Sequence, residues 1–277
     1  MSDTHCQPQI PLIAVEDLNV SFGTNPVLRN ITFSVERGES VAVIGESGCG
    51  KTVLLKTLIL LNQPASGRVL FDNSDLSQLP YFDLAQIRTR FGFVFQQAAL
   101  FDSMTIEENV AFPIIQNTGK PKKPLDRKAV AETVKQLLHE TGLLDDQTLI
   151  KKPAELSGGM RKRVGIARAL ALEPELMLYD EPTTGLDPVM SDVINDLMIS
   201  VRQRYGVTSI MVTHDLYSAC KVAQRIIMLS PLAKLTDGEP QIIFDGTPEE
   251  FVRSGDARIQ QFTAVSLGAI AAKKPFR

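Results

Sequence analysis

The strongest constraint on this chain is the stretch GESGCGKT at Gly45–Thr52, which lies between two apolar runs. Glycine is needed in such a loop because backbone N–H groups can surround a phosphate only where no Cβ atom intrudes. A helix beginning near Lys51 would point its positive end at the same anion. The lysine could then reach the β- and γ-phosphates, and the Thr52 hydroxyl could ligate Mg²⁺. A simple glycine-rich turn is the alternative, but the flanking strand and helix favour phosphate binding.

Five short apolar runs predict buried strands, and the first of them leads directly into this loop. They are Val41–Ile44, Phe91–Phe95, Leu176–Tyr179, Ser209–Thr213 and Ile226–Leu229. Helical patterns separate most of these runs, so we predict an α/β fold with a mostly parallel sheet covered by helices on both faces. A chain of 277 residues with 44% hydrophobic residues can bury the core that this fold requires.

Two regions depart from this alternation of strands and helices. Residues Leu12–Val35 alternate apolar and polar residues around a turn, which predicts antiparallel strands. Residues 97–155 contain no convincing strand, and the capping box at Thr105–Glu108 and the amphipathic pattern of Arg127–Thr141 predict helices there. We therefore predict a nucleotide-binding domain over residues 10–230, with a helical subdomain inserted at about 97–160. Strands and a weakly patterned tail are expected over 231–277; contact with a partner subunit and a disordered end are both open for the tail.

A second motif ends the apolar run Leu176–Tyr179 with two adjacent acids, Asp180 and Glu181. Adjacent carboxylates at the end of a buried strand are costly unless they have a partner. Beside a phosphate-binding loop, Asp180 is suited to hold Mg²⁺ and Glu181 to act as the general base on the attacking water. Two solvated acids at a corner of the chain would be the simpler interpretation if the loop were absent.

A third motif, LSGGM at Leu156–Met160, precedes a predicted helix, and Ser157 is suited to cap it. A serine and two glycines at a helix start form a second anion site. One chain thus carries two phosphate-binding loops. The most economical explanation is a two-fold dimer in which each nucleotide lies between the first loop of one subunit and the second loop of the other.

Charge and cysteine content exclude several other classes of protein. The net charge is −3, unlike the basic footprint of a nucleic-acid-binding protein. The basic cluster Arg161–Arg163 lacks aromatic partners, so we interpret it as the polar face of the helix after the third motif. Cys6, Cys49 and Cys220 are too few and too far apart for a disulfide framework, which favours a reducing cytoplasm. No apolar run approaches the roughly 18 residues of a membrane-spanning helix.

The motifs GESGCGKT, LSGGM, LMLYDEP, TTGLDP and VTHD occur in the order that is typical of ATP-binding cassette (ABC) ATPases. The resemblance covers roughly residues 15–230. It implies a P-loop NTPase (RecA-like) fold with a mostly parallel sheet, an antiparallel β subdomain and a helical insertion. It also implies ATP hydrolysis with Mg²⁺, and a homodimer that drives a membrane permease.

The same resemblance assigns roles to individual residues. The residues implied to contact ATP in the first loop are Gly45, Glu46, Ser47, Gly48, Cys49, Gly50, Lys51 and Thr52. The implied metal ligands are Thr52, Gln96 and Asp180, and the implied catalytic residues are Glu181, His214 and Gln96. The residues implied to reach the nucleotide of the opposite subunit are Ser157, Gly158 and Gly159, and Asp187 belongs to the loop that communicates across the dimer.

Three positions depart from the family pattern or invite a second interpretation. Phe22 occupies the place where a tyrosine usually stacks on adenine; a phenyl ring can still stack, although a hairpin core residue is the alternative. Met160 replaces the glutamine that commonly ends the third motif. Cys49 suggests a redox switch in the phosphate loop, but a tolerated small residue is the interpretation we favour.

Residues Phe95–Pro113, FQQAALFDSMTIEENVAFP, look like the corresponding segment of ATPases in Mla/MCE-type bacterial lipid transport systems, with Ala98 where glycine is usual. This implies a phospholipid transport ATPase on the cytoplasmic face of the inner membrane. It would work with an integral membrane permease, an MCE-type lipid-binding protein and a small accessory subunit. An importer of amino acids or ions and a soluble ABC ATPase that does not transport remain the alternatives.

Overall fold

The computed structural model describes residues 10–117, 126–143, 145–236 and 238–272. Its strands are β1 (Ile13–Phe22), β2 (Asn25–Val35), β3 (Ser40–Gly45), β4 (Ser66–Phe71), β5 (Ser74–Asp75), β6 (Phe91–Val94), β7 (Leu176–Asp180), β8 (Thr208–Thr213), β9 (Arg225–Leu229) and β10 (Ile242–Gly246). Its helices are α1 (Lys51–Thr57), α2 (Tyr81–Arg88), α3 (Ile106–Gln116), α4 (Arg127–Glu140), α5 (Gln147–Ile150), α6 (Gly158–Leu170), α7 (Pro188–Tyr205), α8 (Leu216–Val222), α9 (Pro248–Val252) and α10 (Ala257–Ala272).

The central sheet has the strand order β10-β9-β3-β8-β7-β6. Its strands run parallel except β10, which pairs antiparallel with β9. All five apolar runs identified in the sequence form strands of this sheet, because a strand covered on both faces needs apolar residues on both. The carboxyl ends of β3, β6, β7 and β8 meet at one edge, and the loops that follow them carry the predicted site residues.

A second, antiparallel sheet has the order β2-β1-β4-β5. Phe22 pairs with Asn25 across the turn between β1 and β2, as the alternating pattern of Leu12–Val35 predicts. Strands β4 and β5 were not predicted: only Val69 and Phe71 of β4 are buried, so its alternating pattern is too short to stand out. Together the two sheets and the helices confirm the predicted α/β fold with an antiparallel β subdomain.

The helical insertion lies between β6 and β7 and contains α3, α4, α5 and α6. No strand occurs among the described residues from 97 to 155. Thr105 and Glu108 form the predicted capping box at the start of α3. Helix α4 buries Val134, Leu137 and Leu138 on the face that the sequence pattern indicated.

Among the described residues after 230, the C-terminal segment contains one strand and two α-helices, where the sequence suggested strands and a weakly patterned tail. Strand β10 forms the antiparallel edge of the central sheet, and α9 and α10 follow it. Residues 273–277, at the end of the predicted tail, lie outside the described residues. In the part of the chain that the structure describes, no helix is long and apolar enough to cross a bilayer.

The core divides into two clusters because successive residues of a strand point to opposite faces of the sheet. Ala42 and Ile44 of β3 pack into the cluster that includes the helical insertion. Val41 and Val43 pack into the other cluster, together with α1 and the antiparallel sheet. The phosphate-loop strand is thus fixed from both sides.

Candidate nucleotide-binding site

The loop between β3 and α1 has the backbone shape that phosphate binding requires. A Cβ atom at Gly45 would lie 2.4 Å from the Leu229 carbonyl oxygen, so a side chain there would collide with β9. Gly48 has a φ of +82° and open space in front of it. Any other residue at Gly48 would adopt a strained left-handed backbone. Both positions therefore need glycine, one for close packing and one for its conformation.

Lys51 begins α1, and its side chain folds back over the loop. It is only 7% exposed, and its ammonium donates to the carbonyl oxygen of Gly45 at 2.9 Å and to that of Glu46 at 3.0 Å. The positive charge thus lies beside the backbone N–H groups at the start of α1, where the helix dipole also favours an anion. The loop is shaped and charged to hold phosphates.

Thr52 and Asp180 bring two oxygen atoms together from neighbouring elements. The Thr52 hydroxyl donates to Asp180 Oδ1 at 2.8 Å. Burial raises the pKa of the Asp180 carboxyl, and the hydrogen bond from Thr52 opposes part of that rise. Oxygen atoms are the ligands that Mg²⁺ prefers, and a cation at this position would favour the ionised carboxylate. The pair therefore fits a magnesium site.

Glu181 follows Asp180 and is held in an unusual conformation. Its φ is +48°, a left-handed conformation that is uncommon for a residue other than glycine. Its Oε2 atom lies 2.7 Å from His214 Nδ1 and accepts a hydrogen bond from the Thr184 hydroxyl at 2.9 Å. These two contacts fix the carboxylate at the edge of the sheet, beside the magnesium pair, as a general base requires.

The second phosphate-binding loop lies at the start of α6. Ser157 caps this helix by accepting a hydrogen bond from the Met160 N–H at 3.3 Å, as predicted. A Cβ atom at Gly159 would lie 2.4 Å from Met190 Cε, so the glycine allows α6 to approach the start of α7. Asp187 caps α7 through the Met190 N–H at 2.9 Å. The second loop and the Asp187 loop therefore pack together.

The predicted site residues lie in three places. The first group surrounds the loop Gly45–Thr52 and includes Asp180, Glu181 and His214. The second group is Ser157–Gly159 with Asp187. Among the described residues, no hydrogen bond joins Lys51 or Thr52 to Ser157 or Asp187. The third element is Phe22, which is 53% exposed at the end of β1. That exposure disfavours the alternative of a hairpin core residue and leaves the ring accessible to a planar base.

The interpretation of Arg161–Arg163 as a polar helix face is wrong for Lys162. This side chain is 5% exposed, and its ammonium donates to the backbone carbonyls of Gln96 and Glu181. The two arginines beside it donate to the carbonyls of Leu156 and Gly142. Sequence reasoning missed this role because three consecutive basic residues on a helix normally face solvent. The predicted metal ligand Gln96 follows the end of β6, and its side chain is exposed.

No sequence pattern predicted that the C-terminal segment contacts the loop Gly45–Thr52. The Gln241 side chain is fully buried and donates to the carbonyls of Cys49 at 3.0 Å and Val27 at 3.2 Å. Its Oε1 atom accepts a hydrogen bond from the Arg29 N–H at 2.8 Å. Lys234 contacts both carboxylate oxygens of Glu46 at 2.6 Å. The loop is thus supported from a segment almost 200 residues further along the chain.

Comparison with known proteins agrees with this geometry. The family model described as ABC transporter matches residues 28–184. The ATP-binding protein MlaF of the intermembrane phospholipid transport system of Haemophilus influenzae is 35% identical over 91% of this chain and 89% of its own length. The L-cystine import ATP-binding protein TcyC of Bacillus subtilis is 36% identical over 86% of this chain and 95% of its own length. The dimeric structure of the ATP-binding cassette MJ0796 in a post-hydrolysis state with ADP and Pi has a TM-score of 0.73 and 31% identity, covering 85% of this chain and 98% of that one.

The chain belongs to the ABC transporter family. It is an ATP-binding subunit that hydrolyses ATP, with Mg²⁺, to drive transport. Subunits of this kind dimerise and work with membrane permease subunits.

Proposed function

We propose that this chain is the ATPase subunit of a bacterial phospholipid transporter of the Mla/MCE type. It binds peripherally to the cytoplasmic face of the inner membrane and drives an integral permease. An MCE-type lipid-binding protein and a small accessory subunit complete the assembly. The similarity to MlaF over 91% of the chain is the observation that carries this proposal.

The segment Phe95–Pro113 supports the same function through its resemblance to the Mla/MCE-type ATPases, and its two ends pack together. Asn109 is fully buried; its Oδ1 atom accepts from the Phe101 N–H at 2.8 Å, and its amide donates to the Thr105 carbonyl at 2.9 Å. The Phe101 and Phe112 rings lie 4.7 Å apart, and Phe101 is 41% exposed. This aromatic surface on the helical insertion is the contact that we propose for the permease.

The proposed mechanism assigns ATP hydrolysis to the residues around the loop Gly45–Thr52. Lys51 binds the terminal phosphates, and Thr52, Asp180 and Gln96 would hold Mg²⁺, which neutralises phosphate charge when bound. Glu181 accepts a proton from the attacking water. His214 lies beside Glu181 and contacts the terminal phosphate, while its contact with the Glu181 carboxylate orients that base toward the attacking water. Since Glu181 is fixed by two contacts before any substrate arrives, little reorganisation is needed for the reaction.

We further propose that each nucleotide is shared between two copies of the chain. The remaining loop residues Glu46, Ser47, Cys49 and Gly50 belong to the first half, with Phe22 stacked on the adenine. The second half is Ser157, Gly158 and Gly159 of the partner, with Asp187 beside it. The terminal phosphate supplies contacts that ADP lacks, so ATP closes the dimer and hydrolysis reopens it.

Import of amino acids is the second candidate, because TcyC is as similar to this chain as MlaF is. A direct test purifies the tagged full-length chain from its native host and identifies the permease and lipids that accompany it. The complex is then placed in vesicles with labelled phospholipid or labelled cystine. ATP-dependent movement of phospholipid, absent with Glu181→Gln, supports the proposal. ATP-dependent uptake of cystine without movement of lipid contradicts it.

A further inference from the structure

Helix α6 carries a buried cation in its second turn. Lys162 is 5% exposed, and its ammonium donates to the carbonyl oxygens of Gln96 and Glu181, the latter at 3.3 Å. In the part of the chain that the structure describes, no carboxylate forms an ion pair with Lys162. The cation is therefore held by peptide groups, and both belong to residues proposed to act in hydrolysis.

An ammonium in this environment contributes little to stability. Burial lowers the pKa of Lys162 to about 8, and the nearby carboxylates of Asp180 and Glu181 oppose that shift. Removal of the ammonium would relieve this desolvation cost but take one donor from the Gln96 carbonyl, while the Glu181 carbonyl would keep the Thr184 N–H, so the two effects oppose each other. The presence of a lysine here is thus better explained by position than by stability.

The two carbonyl groups lie on different loops, and the Lys162 side chain of α6 contacts both. Gln96 follows β6 and leads into α3, whereas Glu181 follows the neighbouring strand β7. The carboxylate of Glu181 is fixed separately, by Thr184 and His214. Lys162 therefore connects the backbone of Gln96 and Glu181 to α6, the helix that begins with the second proposed phosphate-binding loop.

We propose that Lys162 is a positioning residue for ATP hydrolysis, which fixes the peptide groups of Gln96 and Glu181 relative to α6. Any displacement of α6 on nucleotide binding is then transmitted to both loops at once. This inference rests on the roles proposed for Gln96 and Glu181, and it is independent of the transported substrate.

The test compares Lys162→Met with the wild-type full-length chain. Methionine keeps much of the apolar stem and removes the ammonium. We expect kcat to fall on the order of tenfold or more because the backbone of Gln96 and Glu181 is no longer fixed relative to α6. The KM for ATP should change less than about threefold, since Lys51 and Thr52 are untouched. The Tm should change little, because removal of the desolvated charge offsets the loss of one donor to the Gln96 carbonyl, and the Glu181 carbonyl keeps the Thr184 N–H at 3.2 Å.

Arg163→Met is the matched control. Arg163 is adjacent to Lys162 on α6, but it donates to the Gly142 carbonyl and not to Gln96 or Glu181. Its kcat should equal that of the wild type. Lys162→Gln keeps a neutral donor for one carbonyl, so its kcat should lie between those of Lys162→Met and the wild type. An unchanged kcat in Lys162→Met overturns the proposal. A lower Tm, or failure to fold, also overturns it, because the role would then be structural.

Glu181→Gln is measured in parallel to separate the two hypotheses. If it hydrolyses ATP normally, the assignment of the general base is wrong, whatever Lys162 does. If it is inactive while Lys162→Met is fully active, only the positioning role is lost.

Discussion

The two proposed phosphate-binding loops of this chain differ in how they are supported. The first loop is enclosed by its own chain: Gly45 packs on β9, Lys51 folds over the loop, and Gln241 bonds to the carbonyl of Cys49. The second loop, by contrast, presents an exposed Ser157 at the free end of α6. A Cβ atom at Gly158 would lie 3.4 Å from Leu186 Cδ2, and one at Gly159 would lie 2.4 Å from Met190 Cε, so the glycines pack against the segment that leads into α7.

This difference explains why two such loops occur in one chain without forming one pocket. Around the first loop, Lys51, the proposed metal ligands and the proposed general base lie at the same end of the central sheet. The second loop contributes helix N–H groups and the Ser157 hydroxyl, and the cations that follow it on α6, Arg161 and Lys162, donate to carbonyls within the chain. A loop that can only complete a site, and faces outward, fits a pocket closed by another molecule of the same chain.

Glu181→Gln gives the largest expected effect, and it tests whether chemistry belongs to the first loop's edge. We expect kcat to fall about 10²- to 10⁴-fold because the general base is lost. ATP should still bind, since Lys51 and Thr52 are intact, and the dimer should persist with ATP. Steady-state ATPase assays and light scattering with ATP check both points. Normal turnover would remove Glu181 from the mechanism.

The variants Lys51→Ala and Ser157→Arg test the roles of the two loops separately. Removal of the Lys51 ammonium should weaken ATP binding by about 10- to 100-fold, the effect of losing hydrogen bonds to a charged group. Ser157→Arg should leave ATP binding to the isolated chain unchanged but prevent the ATP-dependent dimer. Equilibrium binding of fluorescent ATP below the dimerisation concentration measures the contrast. Equal losses of affinity in both variants would show that one chain uses both loops.

Gln241→Leu tests how strongly the C-terminal segment supports the first loop. Leucine is apolar and would leave the buried carbonyls of Cys49 and Val27 and the Arg29 N–H without partners. We expect the free energy of unfolding to drop by about 1–3 kcal/mol. Urea unfolding measures this loss, and Lys234→Ala serves as a control. Its exposed ion pair with Glu46 should contribute less than about 1 kcal/mol. Equal stability of Gln241→Leu and the wild type would contradict the structural role.

Cys49 should give the smallest effect. Burial raises the pKa of the Cys49 thiol, so the reactive thiolate is disfavoured within the loop. We expect mild peroxide treatment to leave ATPase activity unchanged in the wild type and in Cys49→Ala. A peroxide-induced loss of activity that Cys49→Ala abolishes would instead assign the first loop a redox switch.

The parts of this molecule that the sequence predicts are those set by local pattern. The glycine spacing of Gly45–Thr52 predicts the loop, Ser157 predicts the start of α6, and the apolar runs predict the central strands. Each of these features depends on residues that are neighbours in the chain. The buried Lys162 and Gln241 depend on contacts with segments about 20 to 200 residues away. Periodicity carries no information on such contacts, and a charged or amide side chain is ordinarily placed at the surface.

The most direct test of the shared pocket counts trapped ATP in mixed dimers that carry Glu181→Gln in both subunits. In one mixed dimer, Lys51→Ala lies in one subunit and Ser157→Arg in the other. In the second, one subunit carries both changes and its partner neither. A pocket shared between subunits predicts one ATP per dimer in the first arrangement, where one pocket keeps both intact halves, and none in the second. The reverse result, none in the first and one in the second, would show that each chain builds its whole pocket alone.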